Sequence, residues 1–187
     1  MKSYYFLFLS ILLFSPQLIA QDNRFGKVSK EELTKLKSTI DSESPAEILY
    51  EKTDIKLDFM DSDRKLYVTQ EVEGRIKIYD KNNTDEGLLK IEIPMYAPSS
   101  TREKIISFRM VTYNLENGKI EETKIKNSEI FTERVNKNIE VQKAAFPNIK
   151  DGSIIEYKYT ILSPYYRNID RWFFQSSVPV IYSNFSN

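Results

Sequence analysis

Three groupings of carboxylates invite a chemical reading. Glu121 and Glu122 are adjacent, and two carboxylates sharing one proton make an acid–base device. They fall in a run that reads as a strand, where neighbours point to opposite faces, so these two cannot share a proton. Asp61 and Asp63 have the spacing of calcium-loop ligands, but Lys65 occupies the next ligand position. The stretch 80–91 places Asp85 where such a loop needs glycine and Ile91 where it needs a bidentate glutamate. Both loops therefore read as solvated turns.

Absences narrow the chemistry further. The 187 residues contain no histidine and no cysteine. Ser–His and Cys–His nucleophiles are excluded, and zinc sites are excluded in practice. No serine stands in a nucleophile-elbow context. The expectation is a chain without catalytic residues, cofactor or metal, and not an enzyme.

Aromatic side chains remain: twelve tyrosines, eleven phenylalanines and one tryptophan. Their plain reading is that Tyr and Phe are strand formers filling a β core; the alternative is a face that binds sugar or peptide. Trp172, Phe173 and Phe174 are the sharpest case, because consecutive strand residues cannot all point inward. At least one must be exposed or covered by another domain. With Tyr165 and Tyr166 just before them, these five residues form a candidate docking surface.

The elements that must position this surface are mostly strands. Ser29 and Glu32 have the spacing of a capping box, and Leu33 and Leu36 follow at helical spacing, which predicts a short helix over 30–38. Lys35 and Lys37 suit its C-terminus. Alternation from Ile55 to Met60, and then from Leu66 to Ile78, predicts two strands around a turn at 61–63. In the second strand Leu66, Val68, Val72, Ile76 and Ile78 form the core face. Tyr67, Thr69, Glu71, Glu73, Arg75 and Lys77 form the solvent face. Residues 80–87 read as a polar loop, and 88–93 as a strand ended by Pro94.

Residues 105–115 and 119–125 flank Asn117-Gly118, the strongest short-range hairpin signal. Strands over 130–135 and 139–146 follow. Pro147 and the Asp151-Gly152 turn then lead into a strand with Ile155, Tyr157, Tyr159 and Ile161 on one face and Ile154, Glu156, Lys158 and Thr160 on the other. Pro164 ends it, and 178–185 reads as a last strand. The expected fold is all-β, an antiparallel two-layer sandwich of about nine strands with a short N-terminal helix.

Lys2, the apolar run from Tyr4 to Phe14, the Ser15-Pro16 break and Ala20 have the layout of a secretory signal peptide, cleaved after residue 20. The run is short for a transmembrane span. The expectation is an exported chain, periplasmic or at the cell surface, with residues 21–187 as one domain and no membrane insertion after cleavage. The 27 basic and 27 acidic residues are interspersed, which favours neither nucleic acid nor an anionic membrane as partner.

An ordered set of short phrases adds a resemblance. Residues 25–29, Tyr113–Ile120, Asn136–Asn138, Phe146–Asn148, Gly152–Tyr157, Ser163-Pro164, Trp172–Gln175 and Val178–Val180 together resemble the N-terminal domain, a domain of unknown function, of exported bacterial transglutaminase-like proteins. No single phrase is specific, but their order is, and it spans nearly the whole chain after the leader. The resemblance implies a β-sandwich placed before a papain-like transglutaminase domain, whose Cys-His-Asp triad would lie beyond Asn187. It implies a non-catalytic module that packs against, positions or shields that downstream domain, its partner in cis. The reading from another class is a free-standing binding module for a glycan or peptide.

Overall fold

The computed structural model describes residues 24–60, 64–165 and 172–187. The expected leader over 1–20, the expected turn over 61–63 and Tyr166 lie outside the described residues. Among the described residues nine strands form two sheets. The larger has six strands in the order β5-β4-β8-β2-β1-β9 and the smaller three, in the order β3-β7-β6. The strands are β1 Ala46–Met60, β2 Lys65–Ile78, β3 Lys90–Tyr96, β4 Lys104–Glu116, β5 Lys119–Lys124, β6 Ile130–Arg134, β7 Ile139–Ala145, β8 Ile154–Ser163 and β9 Ser183–Ser186. Adjacent strands pair antiparallel except β1 and β9, which pair parallel. This is the all-β sandwich that the alternation pattern leads one to expect. Among the described residues no helix is long and apolar enough to cross a membrane.

Between the sheets lies a core of aliphatic side chains: Ile48, Ile76, Met110 and Ile155 from the large sheet meet Ala144 and Phe146 from the β7 side. Farther along, Ile93 and Met95 of β3 pack with Ile161. Among the described residues the buried aromatics are Tyr50, Tyr113 and Phe146, whereas Phe59, Tyr96, Phe131, Phe173, Phe174 and Tyr182 are exposed. The reading of Tyr and Phe as core fillers holds in part: Phe25, Phe108, Tyr157 and Tyr159 also pack against the core, while aliphatics supply most of its fully buried side chains.

Several local expectations hold in detail. Asn117 and Gly118 take φ of 51° and 74°, the left-handed pair that a two-residue hairpin requires. Ser29 Oγ accepts from the Glu32 amide at 3.1 Å, and Glu32 Oε2 accepts from the Ser29 amide at 2.8 Å. Asp80 Oδ1 accepts from the amides of Asn82 and Asn83, so this acidic loop is closed as a turn by its own side chain.

Other expectations are corrected. The helix, α1, runs only from Lys30 to Thr34, because Lys35 turns extended and its ammonium reaches Glu47. Pro94 does not end β3 but sits inside it opposite Val141; β3 is an edge strand, where a missing N–H is tolerated. The last strand shrinks to Ser183–Ser186, preceded by a single bridge from Val180 to Ile48. The face of β2 read as solvent-facing and the mixed face of β8 are, at one end, fully buried: Arg75, Lys77 and Glu156 expose nothing. The reason is that the segment carrying α1 covers this end of the outer face, with Phe25, Val28 and Leu33 packing on Leu49, Val111, Tyr113 and Ile154.

Candidate functional site

Two features of the sheet could carry function: the buried charges under α1 and the aromatic groove beside β9. Both depend on one irregularity in β1. Its register with β2 shifts between Ile48 and Tyr50, so Leu49 is an extra residue. A bulge of this kind places consecutive residues on one face. Leu49 and Tyr50 therefore both meet the covering segment, and Glu51 turns to the inner face.

Under α1 the charges satisfy one another. Glu156 Oε1 accepts from Arg75 Nε at 2.7 Å and from the Tyr50 hydroxyl at 3.2 Å, and Oε2 accepts from the Gly26 amide at 2.8 Å. Arg75 also donates to Glu32 Oε1 at 2.7 Å and to the Arg24 carbonyl at 2.9 Å. Burial first, and the Glu156 carboxylate second, raise the Tyr50 and Tyr113 phenols far above their usual range. Beside them Lys77 Nζ donates to the carbonyls of Leu33 at 2.7 Å and Gly152 at 2.6 Å. Glu47 accepts from Ser38 and Tyr79. These bonds of Arg75, Lys77 and Glu156 run to the covering segment, to neighbouring strands and to the turn before β8. The cluster is closed to ligands, and its chemistry is attachment: it fastens residues 24–40 to the sheet.

The aromatic groove is open. Its walls and floor include Glu51, Leu88, Lys90, Tyr157, Trp172 and Phe173, around a volume of ≈ 370 Å³. The hydroxyl end of the Tyr157 ring packs against Gly74, its partner in the β2–β8 ladder; a Cβ there would meet Cζ and Oη at 2.5 Å. Trp172 Nε1 donates to Ser183 Oγ at 3.1 Å, and Ser183 Oγ donates to Glu51 Oε1 at 3.0 Å. This relay fixes the indole at the groove, where it meets Phe174 edge-on at 6.4 Å and Phe185 at 6.2 Å. Phe173 is 72% and Phe174 57% exposed.

Of the five residues singled out in the sequence, the structure brings Trp172, Phe173 and Phe174 together. Tyr165 is elsewhere: its ring packs edge-on against Tyr96 at 5.0 Å and its hydroxyl donates to the Thr101 carbonyl. Tyr96 stands five residues along β3 from Ile91, which lines the groove, a distance of roughly 17 Å at strand rise. Sequence reasoning missed Glu51 and Tyr157 as groove residues. Tyr157 had been placed on an apolar face, but Glu51 could not be placed without the bulge. It also missed the exposed apolar tip of the β1–β2 hairpin, where Leu57, Phe59 and Leu66 share a face.

Among the described residues no group of three or more Asp, Glu, His or Cys converges to hold a metal ion. Fold and site together define a β-sandwich with a closed ionic cluster on one side and an aromatic groove on the other. The chain belongs to the DUF3857 family, a domain of unknown function, whose family model matches residues 67–186. Among solved structures it is similar, at 12% identity and a TM-score of 0.48, to a protein from Parabacteroides distasonis provisionally named a protease. The match covers 64% of this chain and 23% of that one, so the chain spans about a quarter of that protein's length. No curated protein matches the chain at a significant level.

Proposed function

We propose that this chain is a non-catalytic, exported β-sandwich module that packs against, positions or shields a transglutaminase-like domain on the same polypeptide. The observation that carries the reading is the pair of exposed rings, Phe173 and Phe174, on a segment anchored through Trp172 and Ser183. Large rings held on a fixed backbone and left in water are the signature of a surface meant to be covered. The ordered phrases of the sequence support the identity of the covering domain, and the family match leaves that partner open. The lack of histidine and cysteine supports a non-catalytic role.

The reading frame beyond codon 187 tests the partner. A continuing frame that encodes a Cys followed by His and Asp agrees with the proposal. A stop codon there favours the second reading, a free-standing binding module for glycan or peptide, for which the groove itself speaks. Docking is then tested by replacing Phe173 with alanine and measuring association with that domain.

A further inference from the structure

Glu51 stands in the groove as a carboxylate without a counter-ion. Among the described residues it forms no ion pair, and its side chain accepts one hydrogen bond, from the neutral Ser183 hydroxyl. The nearest candidates are engaged elsewhere: Lys52 reaches Glu73 at 3.5 Å and Lys90 reaches Glu92 at 3.1 Å. Burial lifts the Glu51 carboxyl above its ordinary value, and the Ser183 bond only partly opposes this. A charge withdrawn from water costs free energy unless it is paired. The closed cluster on the other face pairs its buried Glu156 with Arg75, so the fold does neutralise such carboxylates elsewhere.

The surroundings of Glu51 select the missing partner. Ile48, Ile76, Leu88 and Ile91 offer apolar wall to a hydrocarbon stem. Trp172 and Tyr157 offer aromatic faces, which attract a cation. Lys90, Gln175 and Ser176 line the groove too, so polar partners for a sugar are present; the Glu51 carboxylate, with no cation of its own, is what favours a cationic ligand. An alkyl ammonium or guanidinium uses all three features at once.

We infer that the groove takes a lysine or arginine side chain presented by the domain that docks on the Trp172–Phe174 face, with its cation paired to Glu51. This rests on the docking reading above and adds the chemistry that the partner must show. The stem lies on the aliphatic wall, and the charged head sits between the carboxylate and the indole.

Trp172 is the one tryptophan in the chain, so its fluorescence reports the groove directly. The purified protein is titrated with n-butylamine and n-butylguanidine, with n-butanol as the neutral control. The inference predicts a saturable emission change with the two cations, at least about tenfold stronger than with the alcohol. The cation response weakens at high salt while the alcohol response does not. Glu51→Gln reduces the cations to the level of the alcohol with the thermal midpoint nearly unchanged. Equal responses to amine and alcohol, without salt dependence, overturn the inference whether or not the variant folds.

A last arm separates this inference from the docking reading. If Phe173→Ala weakens association with the downstream domain but butylammonium does not bind, the cation site falls and docking stands. If butylammonium binds but Glu51→Gln leaves that association unchanged, the docked domain is not the source of the cation and the inference fails.

Discussion

Arg75 and Glu156 stand directly opposite each other on β2 and β8, joined at 2.7 Å, and neither side chain reaches solvent. Removing one partner strands the other. Glu156→Ala removes the carboxylate that faces the buried guanidinium across the ladder, leaving Glu32 and the Arg24 carbonyl among its partners, and frees the Gly26 amide. The expected loss is about 3–5 kcal/mol of unfolding free energy, measured by urea denaturation. A loss under about 1 kcal/mol, the range of exposed pairs, would mean that the pair is not buried in solution.

Gly74 is required by the Tyr157 ring rather than by backbone conformation. A methyl group there would meet ring atoms at 2.5 to 2.8 Å, and these belong to a side chain packed in the sheet. Gly74→Ala is expected to cost about 1–3 kcal/mol as the ring is forced aside. The same displacement opens the groove, so Trp172 emission should shift as well. Unchanged stability and emission would count against the close packing of Tyr157 on Gly74.

The Ser183 hydroxyl connects the indole to Glu51. Ser183→Ala should cost about 0.5–1.5 kcal/mol, the net worth of such bonds, and give Trp172 a red-shifted, broader emission. An unaltered spectrum would show that the indole is held by packing against Phe174 and Phe185 alone.

Lys77 gives the fold a pH signature. Burial first, and the nearby Lys35 charge second, lower its pKa to about 8 in the folded chain. The neutral amine still has two N–H groups for the carbonyls of Leu33 and Gly152. The unfolded lysine keeps its proton up to about pH 10.4, so from about pH 8 upward the unfolded state binds more protons and stability rises with pH. The buried tyrosines act in the opposite sense above about pH 10, where only the unfolded phenols ionise. Thermal melts should therefore show a midpoint that climbs between pH 8 and pH 10 and then declines. In Lys77→Met the climb should vanish and the decline remain.

Much of the fold was legible because the chain writes its strands in alternation. The Asn117-Gly118 hairpin and the Ser29–Glu32 capping box rest on interactions between near neighbours, and both stand as read. Arg75 and Glu156 were legible only as members of polar faces. Their pairing depends on β8 lying beside β2, and their burial on a separate segment lying over both. No periodicity within one strand carries either fact. Pro94 was misread for a related reason, since edge and central strands differ in topology rather than in sequence. At the site, the three consecutive rings foretold that at least one would be exposed, as Phe173 and Phe174 are, but strand alternation is not the reason, since these residues lie outside any strand. Glu51 was not legible, because a one-residue bulge at Leu49 decides which face it joins. Tyr165 was grouped with Trp172 by proximity in sequence, and β3 holds them apart.

The central claim is that the Trp172–Phe174 face is a docking surface for a following domain. The most direct measurement is calorimetric titration of this chain with the transglutaminase-like domain expected downstream, comparing the natural sequence with Phe173→Ala. Phe173 is exposed and free of core contacts, so the variant should keep its thermal midpoint. The account predicts that the substitution weakens association at least about tenfold, a change of about 1.4 kcal/mol or more, as for a ring at an interface centre. Association of equal strength in the two proteins would contradict it.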